Sequence, residues 1–181
     1  ELQPLAVQPA ATDLHLLLDD IHEYATALCA QQNNRFHYHA PDRMPRQISV
    51  DGKRLRQVLL NLLANAAKFT RDGVVTLSVT AQPKGDACAL HFAVSDTGIG
   101  IDLEQDVDIF GAFQQIQAAS GSTGLGLFIA QRIVSAMGGS LRVASTRGEG
   151  SVFSFALSAP VIGASGAAWG ATLQRQAKLP E

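Results

Sequence analysis

DGKRLRQVLLNLLANAAKFT, residues Asp51–Thr70, places apolar side chains at Leu55, Val58, Leu59, Leu62, Ala66 and Phe69. Recurrence at i, i+3, i+4 and i+7 marks an amphipathic helix with one buried stripe. Asp51, just before the periodic run, is a suitable N-cap. Asn61, Asn65 and Lys68 follow at intervals of four and three, so they share one flank beside that stripe. Carboxamide oxygens ligate hard cations such as Mg²⁺, and a lysine supplies a point charge for phosphate. On this helix alone, a solvated face with incidental Asn and Lys is an equally good reading.

Upstream, Leu5-Ala6-Val7 reads as a short strand. Thr12 or Asp13 caps a helix over Thr12–Ala30 that carries Leu14, Leu17, Leu18, Ile21, Ala25 and Leu28 on one face. His15 and His22 sit seven apart on this helix; nothing nearby completes a ligand set, so solvated histidines are expected. Phe36, Tyr38 and Ala40 alternate with Arg35, His37 and His39, the period of a half-buried strand with both histidines on its polar face. Ile48–Val50 is a short strand leading into the Asp51–Thr70 helix.

Downstream, Arg71-Asp72-Gly73 is a turn and Val74–Ala81 a strand. Pro83-Lys84-Gly85-Asp86 forms a hairpin loop, and Cys88–Ser95 the next strand. Ile101–Thr123 is irregular apart from the cluster Val107, Ile109, Phe110 and Phe113; loops this long inside domains are usually functional or disordered. Gly124–Met137 is a helix with Leu127, Ala130, Ile133, Val134 and Met137 inward, closed by Gly138-Gly139. Leu141–Ala144 and Val152–Leu157 make a final strand pair. From Pro160 the chain is rich in Ala and Gly and reads as a linker or tail.

The composition suits one globular domain: 181 residues, 46% hydrophobic and 17% charged. A net charge of -2 gives no reason to expect nucleic acid as a partner. Cys29 and Cys88 form neither a disulfide framework nor a paired metal motif, so a reducing, cytoplasmic setting is expected. No apolar run is long enough to span a bilayer. The chain starts at Glu1 without a methionine, as an excised fragment might, and the soluble, cytosolic part of a membrane protein is a second reading.

Two glycine motifs complete the pattern. Asp96-Thr97-Gly98-Ile99-Gly100 places a carboxylate at a strand end. Such a carboxylate accepts a hydrogen bond from an exocyclic amine, and the glycines let backbone approach a flat ligand. Gly121-Ser122-Thr123-Gly124-Leu125-Gly126-Leu127 opens a helix with GxxGxG spacing, neither the dinucleotide fingerprint nor a P-loop. Backbone N–H groups at a helix start favour phosphate, and Ser122 and Thr123 add hydroxyl donors. Each motif by itself is equally a turn.

In this order, the three motifs and the long loop resemble the Bergerat-type ATP-binding domain of sensor histidine kinases. Asn61–Thr70 (NLLANAAKFT) is similar to the family's N-box, and Asp96–Ile101 (DTGIGI) to its first glycine box. Ile109–Phe113 (IFGAF) is similar to its F-box, and Gly121–Leu127 (GSTGLGL) to its second glycine box. The resemblance continues through Gly138–Leu141 and Gly148–Leu157 and covers roughly residues 1 to 160.

The resemblance implies a two-layer α/β sandwich: a mixed sheet of about five strands packed against three helices, with a mobile ATP lid. It implies a domain over residues 1–160 and a flexible tail over 161–181. Asn65 takes the place of the Mg²⁺ ligand, with Asn61 one turn earlier and Lys68 reaching the phosphates; these three form the implied catalytic set. Phe69 lies near the adenine. Asp96 bonds the adenine amino group in a pocket shaped by Gly98, Gly100 and Ile101. Residues from Asp102 to Thr123 are the lid. Thr123, Gly124, Leu125, Gly126 and Leu127 bring the next helix start to the phosphates.

The sequence departs from the family in two places. The lid segment has no Lys or Arg but carries Asp102, Glu104, Asp106 and Asp108, and Gly111-Ala112 stands where the family often has Glu-Pro. Related ATPases carry a water-activating glutamate where Asn61 stands, and a carboxamide is no general base at neutral pH. Asn61 therefore favours phosphoryl transfer to a protein over hydrolysis. The implied partners are a dimerising helical domain bearing the acceptor histidine and a downstream response regulator or receiver domain; the isolated chain is expected to be monomeric. Of the five histidines only His22 precedes an acid, Glu23, and Tyr24-Ala25-Thr26 does not continue the family's acceptor pattern. The rival reading is a nucleotide-binding regulatory module or a serine-directed kinase of the same superfamily.

Overall fold

A computed structural model describes residues 5–103, 109–110, 125–163 and 169–171. Among these, the chain forms β1 (Ala10–Asp13), α1 (Leu14–Ala30), β2 (Arg35–His39), β3 (Arg43–Pro45), β4 (Gln47–Val50) and α2 (Gly52–Lys68). It continues with β5 (Val74–Lys84), β6 (Ala87–Asp96), α3 (Gly126–Ala136), β7 (Arg142–Thr146), β8 (Gly150–Pro160) and β9 (Trp169–Ala171).

The apolar stripe of α2 sets the layering. Leu55, Val58, Leu59, Leu62, Leu63, Ala66 and Ala67 are buried. They pack the helix between α1 and α3 and onto β5 and β6. The main sheet has the order β2-β5-β6-β8-β7. β2 runs parallel to β5, and the other neighbours are antiparallel. The expected sandwich of three helices on a five-stranded mixed sheet is therefore present. Phe92 and Phe155 stack at 5.0 Å inside it.

The ends of α2 are tied to distant chain. Asp51, 8% exposed, caps the helix by accepting the Arg54 N–H at 3.2 Å. Its second oxygen accepts the Gln8 N–H at 2.9 Å. At the other end Asn34, 7% exposed, donates to the carbonyls of Ala67 at 3.3 Å and Thr70 at 2.8 Å and accepts the Gly73 N–H at 3.1 Å. One carboxamide thus closes α2 and sets the turn into β5. Helix α3 ends in a Schellman arrangement: Gly138, at φ 85°, donates to the Ser135 carbonyl and Gly139 to that of Val134.

Several expectations need correction. Leu5–Val7 is not a strand; the Gln8 N–H is taken by Asp51, and the ladder begins only at Ala10, opposite Val50. α1 starts at Leu14 because Asp13, not Thr12, accepts the Leu16 N–H. Phe69 is not part of the buried stripe: α2 ends at Lys68, and Phe69 turns out half-buried at the C-cap. His15 and His22 are half-buried rather than solvated, His15 Nε2 lying 3.1 Å from the Met44 carbonyl and the His22 ring edge-on to Phe36 and Tyr38. β5 continues through Pro83 to Lys84, leaving only Gly85-Asp86 in the turn. β3 was not foreseen. It pairs with β9 from the Ala/Gly-rich stretch, and Arg43 donates to the Trp169 carbonyl at 2.9 Å. Of the lid segment, Glu104 to Asp108 and Gly111 to Thr123 lie outside the described residues, so its expected mobility does too.

Because the Asp51 carboxylate satisfies one donor of α2 and one of the incoming segment, Asp51→Ala should cost about 1–2 kcal/mol of unfolding free energy. Urea denaturation measures it, and an unchanged midpoint would show that water replaces both bonds.

Candidate functional site

The sheet delivers a carboxylate to the edge of α2. Asp96 is the last residue of β6, paired with Val75 on one side and Ser151 on the other. It is 9% exposed. Burial pushes its carboxyl above the ordinary carboxylate range, while hydrogen bonds from the N–H groups of Gly98 and Ser151 and the influence of the Thr70 hydroxyl oppose that rise. The Gly98 N–H donates at 2.9 Å. A buried carboxylate held by neutral donors is an acceptor without a resident cation.

The glycines are dictated by crowding. A Cβ on Gly98 would collide with the Phe69 carbonyl. Gly100 has φ 69°, and a Cβ there would meet the Thr146 carbonyl. The loop is pinned by Ile99 N–H to the Phe69 carbonyl at 3.2 Å and by Ile101 N–H to Ser145 Oγ at 2.7 Å. Ser145 Oγ is also 2.7 Å from Ser151 Oγ. Backbone from α2's end, the glycine loop and the β7–β8 turn is thus drawn together.

These elements enclose a small cleft lined by Asn65, Phe69, Asp96, Ile99, Gly100, Ile101 and Ser151. The sequence reading named five of the seven. It missed Ile99, an apolar residue inside the DTGIG motif, and Ser151, whose place after Gly148-Glu149-Gly150 was its only signal. Gly98 does not line the cleft, and its N–H donates to Asp96. Lys68 is half-buried, its ammonium 5.2 Å from the centre of the Phe69 ring. The pair places a cation at the rim next to an aromatic face.

α3 begins beside this cleft. Asn61, half-buried on α2, donates from Nδ2 to the Gly126 carbonyl at 3.3 Å, which ties the two helices where the phosphate-binding turn is expected. Leu125 stands at the N-cap without a side-chain cap, so the first N–H groups of α3 lack an intrahelical partner. A Cβ on Gly126 would meet nothing within 4 Å among the described residues. Leu127 is 7% exposed and belongs to the core. Thr123 and Gly124 lie outside the described residues. Of the F-box, Ile109 is buried and Phe110 meets Phe153 edge-on at 6.3 Å.

A wider cleft of about 750 Å³ opens near the β5–β6 turn, lined by residues such as Pro41, Pro83, Asp86 and Trp169. β6 runs ten residues between that turn and Asp96, which puts the two clefts about 30 Å apart. The wider one contains none of the motif residues. Among the described residues no group of three His, Cys, Asp or Glu side chains is gathered as a metal site. The Asn65 carboxamide suits a hard cation that takes its remaining ligands from phosphate and water.

The family described as histidine kinase-, DNA gyrase B- and HSP90-like ATPase matches residues 50–161. The aerobic respiration control sensor protein ArcB of Escherichia coli K12 is 40% identical over 146 residues, 77% of this chain and 18% of that protein. The sensor protein GacS of Pseudomonas syringae is 41% identical over 121 residues, 64% of this chain and 13% of its own length. The chain therefore spans less than a fifth of these relatives. Among solved structures, full-length ShkA in complex with AMPPNP superposes with a TM-score of 0.76 at 31% identity, covering 90% of this chain and 33% of ShkA. The nucleotide-free catalytic domain of the histidine kinase ThkA gives 0.64 at 22% identity, covering 83% and 95%, a likeness of fold.

Asp96→Asn separates recognition from stability. Losing a buried charged acceptor costs about 1.5–3 kcal/mol, so ATP affinity by calorimetry should fall roughly ten- to a hundredfold. The sign for stability is opposite. A carboxyl whose folded pKa lies above its unfolded value favours the fold most below the unfolded pKa and loses that contribution as pH rises through the folded one. The Asn variant should thus melt higher than wild type at pH 7, with the gap closing towards acid. Unchanged ATP affinity would remove Asp96 from the recognition site, and a lower melting point at pH 7 would contradict the desolvation argument.

Proposed function

Because the chain belongs to the histidine kinase-, DNA gyrase B- and HSP90-like ATPase family, we propose that it is the ATP-binding catalytic domain of a sensor histidine kinase that passes the γ-phosphate of ATP to a histidine on a separate dimerising helical domain. The observation that carries this reading is the convergence of Asn65, Phe69, Asp96, Gly100 and Ile101 on one cleft beside the start of α3. The unit is residues 1–160 and the tail 161–181, within which Trp169–Ala171 pairs with β3.

The geometry of the cleft supports a role for each residue. Asp96 accepts from the adenine amine, and Phe69, Ile99 and Ile101 supply apolar contact for the flat ring. Lys68 and the uncapped first turn of α3 hold phosphate. Asn65 would hold Mg²⁺, which when bound neutralises phosphate charge. Positioning and charge stabilisation are most of what phosphoryl transfer requires. A neutral imidazole nitrogen of the partner forms the new N–P bond as the bond from the γ-phosphorus to the bridging oxygen breaks, and ADP leaves. Asn61 offers no base to activate water, which disfavours hydrolysis. The lid's missing Lys and Arg leave Lys68 as the motif's phosphate-facing cation. The relatives are named sensor proteins and are several times longer than this chain, which leaves room for a helical histidine domain and a receiver as partners. No helix of the described residues is long and apolar enough to cross a membrane.

Incubation with radiolabelled ATP tests the reading. The isolated chain should bind Mg-ATP without labelling itself, and adding the matching histidine-bearing helical domain should produce acid-labile label on that partner. Acid-labile label on the isolated chain, removed by His22→Ala, would overturn the donor-only reading; label on a serine would favour the serine-directed alternative. By calorimetry, Asn65→Ala should lose the Mg²⁺-dependent part of ATP binding. A wild-type response to Mg²⁺ in that variant would exclude Asn65 as the ligand.

A further inference from the structure

Thr70 lies just past α2 and is 1% exposed. Its carbonyl accepts from Asn34 at 2.8 Å, which fixes its backbone. Its side chain is wedged between two glycines: a Cβ on Gly73 would fall 2.6 Å from Thr70 Cγ2, and one on Gly98 2.7 Å from Thr70 Oγ1. The hydroxyl therefore rests against the floor of the glycine loop, on the side of Asp96. Thr70 Oγ1 is also the one buried side-chain nitrogen or oxygen among the described residues without a hydrogen-bond partner. A buried hydroxyl left unpaired is costly, and valine would fill the same space without that cost.

We propose that Thr70 is a positioning residue for base recognition: with a purine in the cleft its hydroxyl donates to the Asp96 carboxylate and holds it as an acceptor, so that the site takes a 6-amino purine in preference to a 6-oxo purine. The inference rests on the reading of this cleft as the adenine site. Its chemistry is simple. An ionised carboxylate only accepts and suits an exocyclic amine; a protonated one donates and suits a carbonyl. Burial drives Asp96 towards the protonated form. The groups that act against burial are the N–H groups of Gly98 and Ser151 and the Thr70 hydroxyl, with no charged side chain among them. The two N–H groups are fixed in the backbone. The hydroxyl alone can rotate, and among the described residues it has no hydrogen-bond partner.

Calorimetry with ATP and GTP across pH 5–8, on wild type, Thr70→Val and Thr70→Ser, tests the proposal. Thr70→Val should weaken ATP binding about tenfold, move its acid fall-off to higher pH and lower the preference for ATP over GTP; Thr70→Ser should keep all three near wild type. A purely structural role would weaken both nucleotides alike and leave the pH profile in place, and that result overturns the proposal, as does a serine variant as impaired as valine. Wild type that binds no ATP would overturn the site reading and this inference with it, whereas wild type that binds with Thr70→Val unchanged removes Thr70 alone. A carbon-13 titration of the Asp96 carboxyl with ATP bound covers poor folding of the valine variant. The midpoint should rise in Thr70→Ala and not in Thr70→Ser, and equal midpoints in all forms contradict the proposal.

Discussion

The buried stripe of α2 is the constraint on which the rest depends. Leu55, Val58, Leu59, Leu62 and Leu63 each gain about 1.5–3 kcal/mol by leaving water, and they can do so together only with the helix seated between α1, α3 and the sheet. Once that face is committed, a rigid 17-residue helix has no freedom left for its flank. Asn61 must lie against the start of α3, Asn65 in the cleft and Lys68 at its rim. Asp51 and Asn34 lock the two ends of the same rod to chain on either side of it. The site is a by-product of core packing, which is why it can be stiff while made of polar side chains.

Against this frame Asp96 is a local sacrifice. Burying a carboxylate without a cation works against folding, and the nearby donors offset it only in part. The structure tolerates the cost because β6 is held on both sides by long ladders to β5 and β8. Crowding then forbids side chains at Gly98, Gly100 and Gly150, since a Cβ at each would strike a neighbouring carbonyl. Stability is given up at one carboxylate and recovered along two strands.

Much of this was legible in the sequence. The 3.6-residue period of α2 and the two-residue period of β5 and β6 are strong signals because each has a wet and a dry face. The glycine boxes were legible because few residue types survive such close backbone approach. The misses have physical causes. β3 and β9 have three residues each, too few for a period, and the Pro45 and Gly170 within them argue locally against a strand. Phe69 was assigned inward because periodicity does not announce where a helix stops. Asn34 follows α1 with no period to mark it, and its bonds to Ala67, Thr70 and Gly73 appear only when the chain folds back. Ser151 and Thr70 fall inside stretches that match the family, but no period marks what they do; their meaning is the burial of a hydroxyl beside one carboxylate.

The central claim is a place: a purine sits where β6 ends against α2, not in the wider cleft at the far end of the sheet. Amide NMR during titration with Mg-ATP measures that directly. Shifts should concentrate at Gly98, Ile99, Gly100, Ile101 and Ser151 and in the first turn of α3, leaving Gly85, Asp86 and Trp169 unmoved. Shifts centred on Gly85, Asp86 and Trp169, with the glycine loop silent, would contradict it.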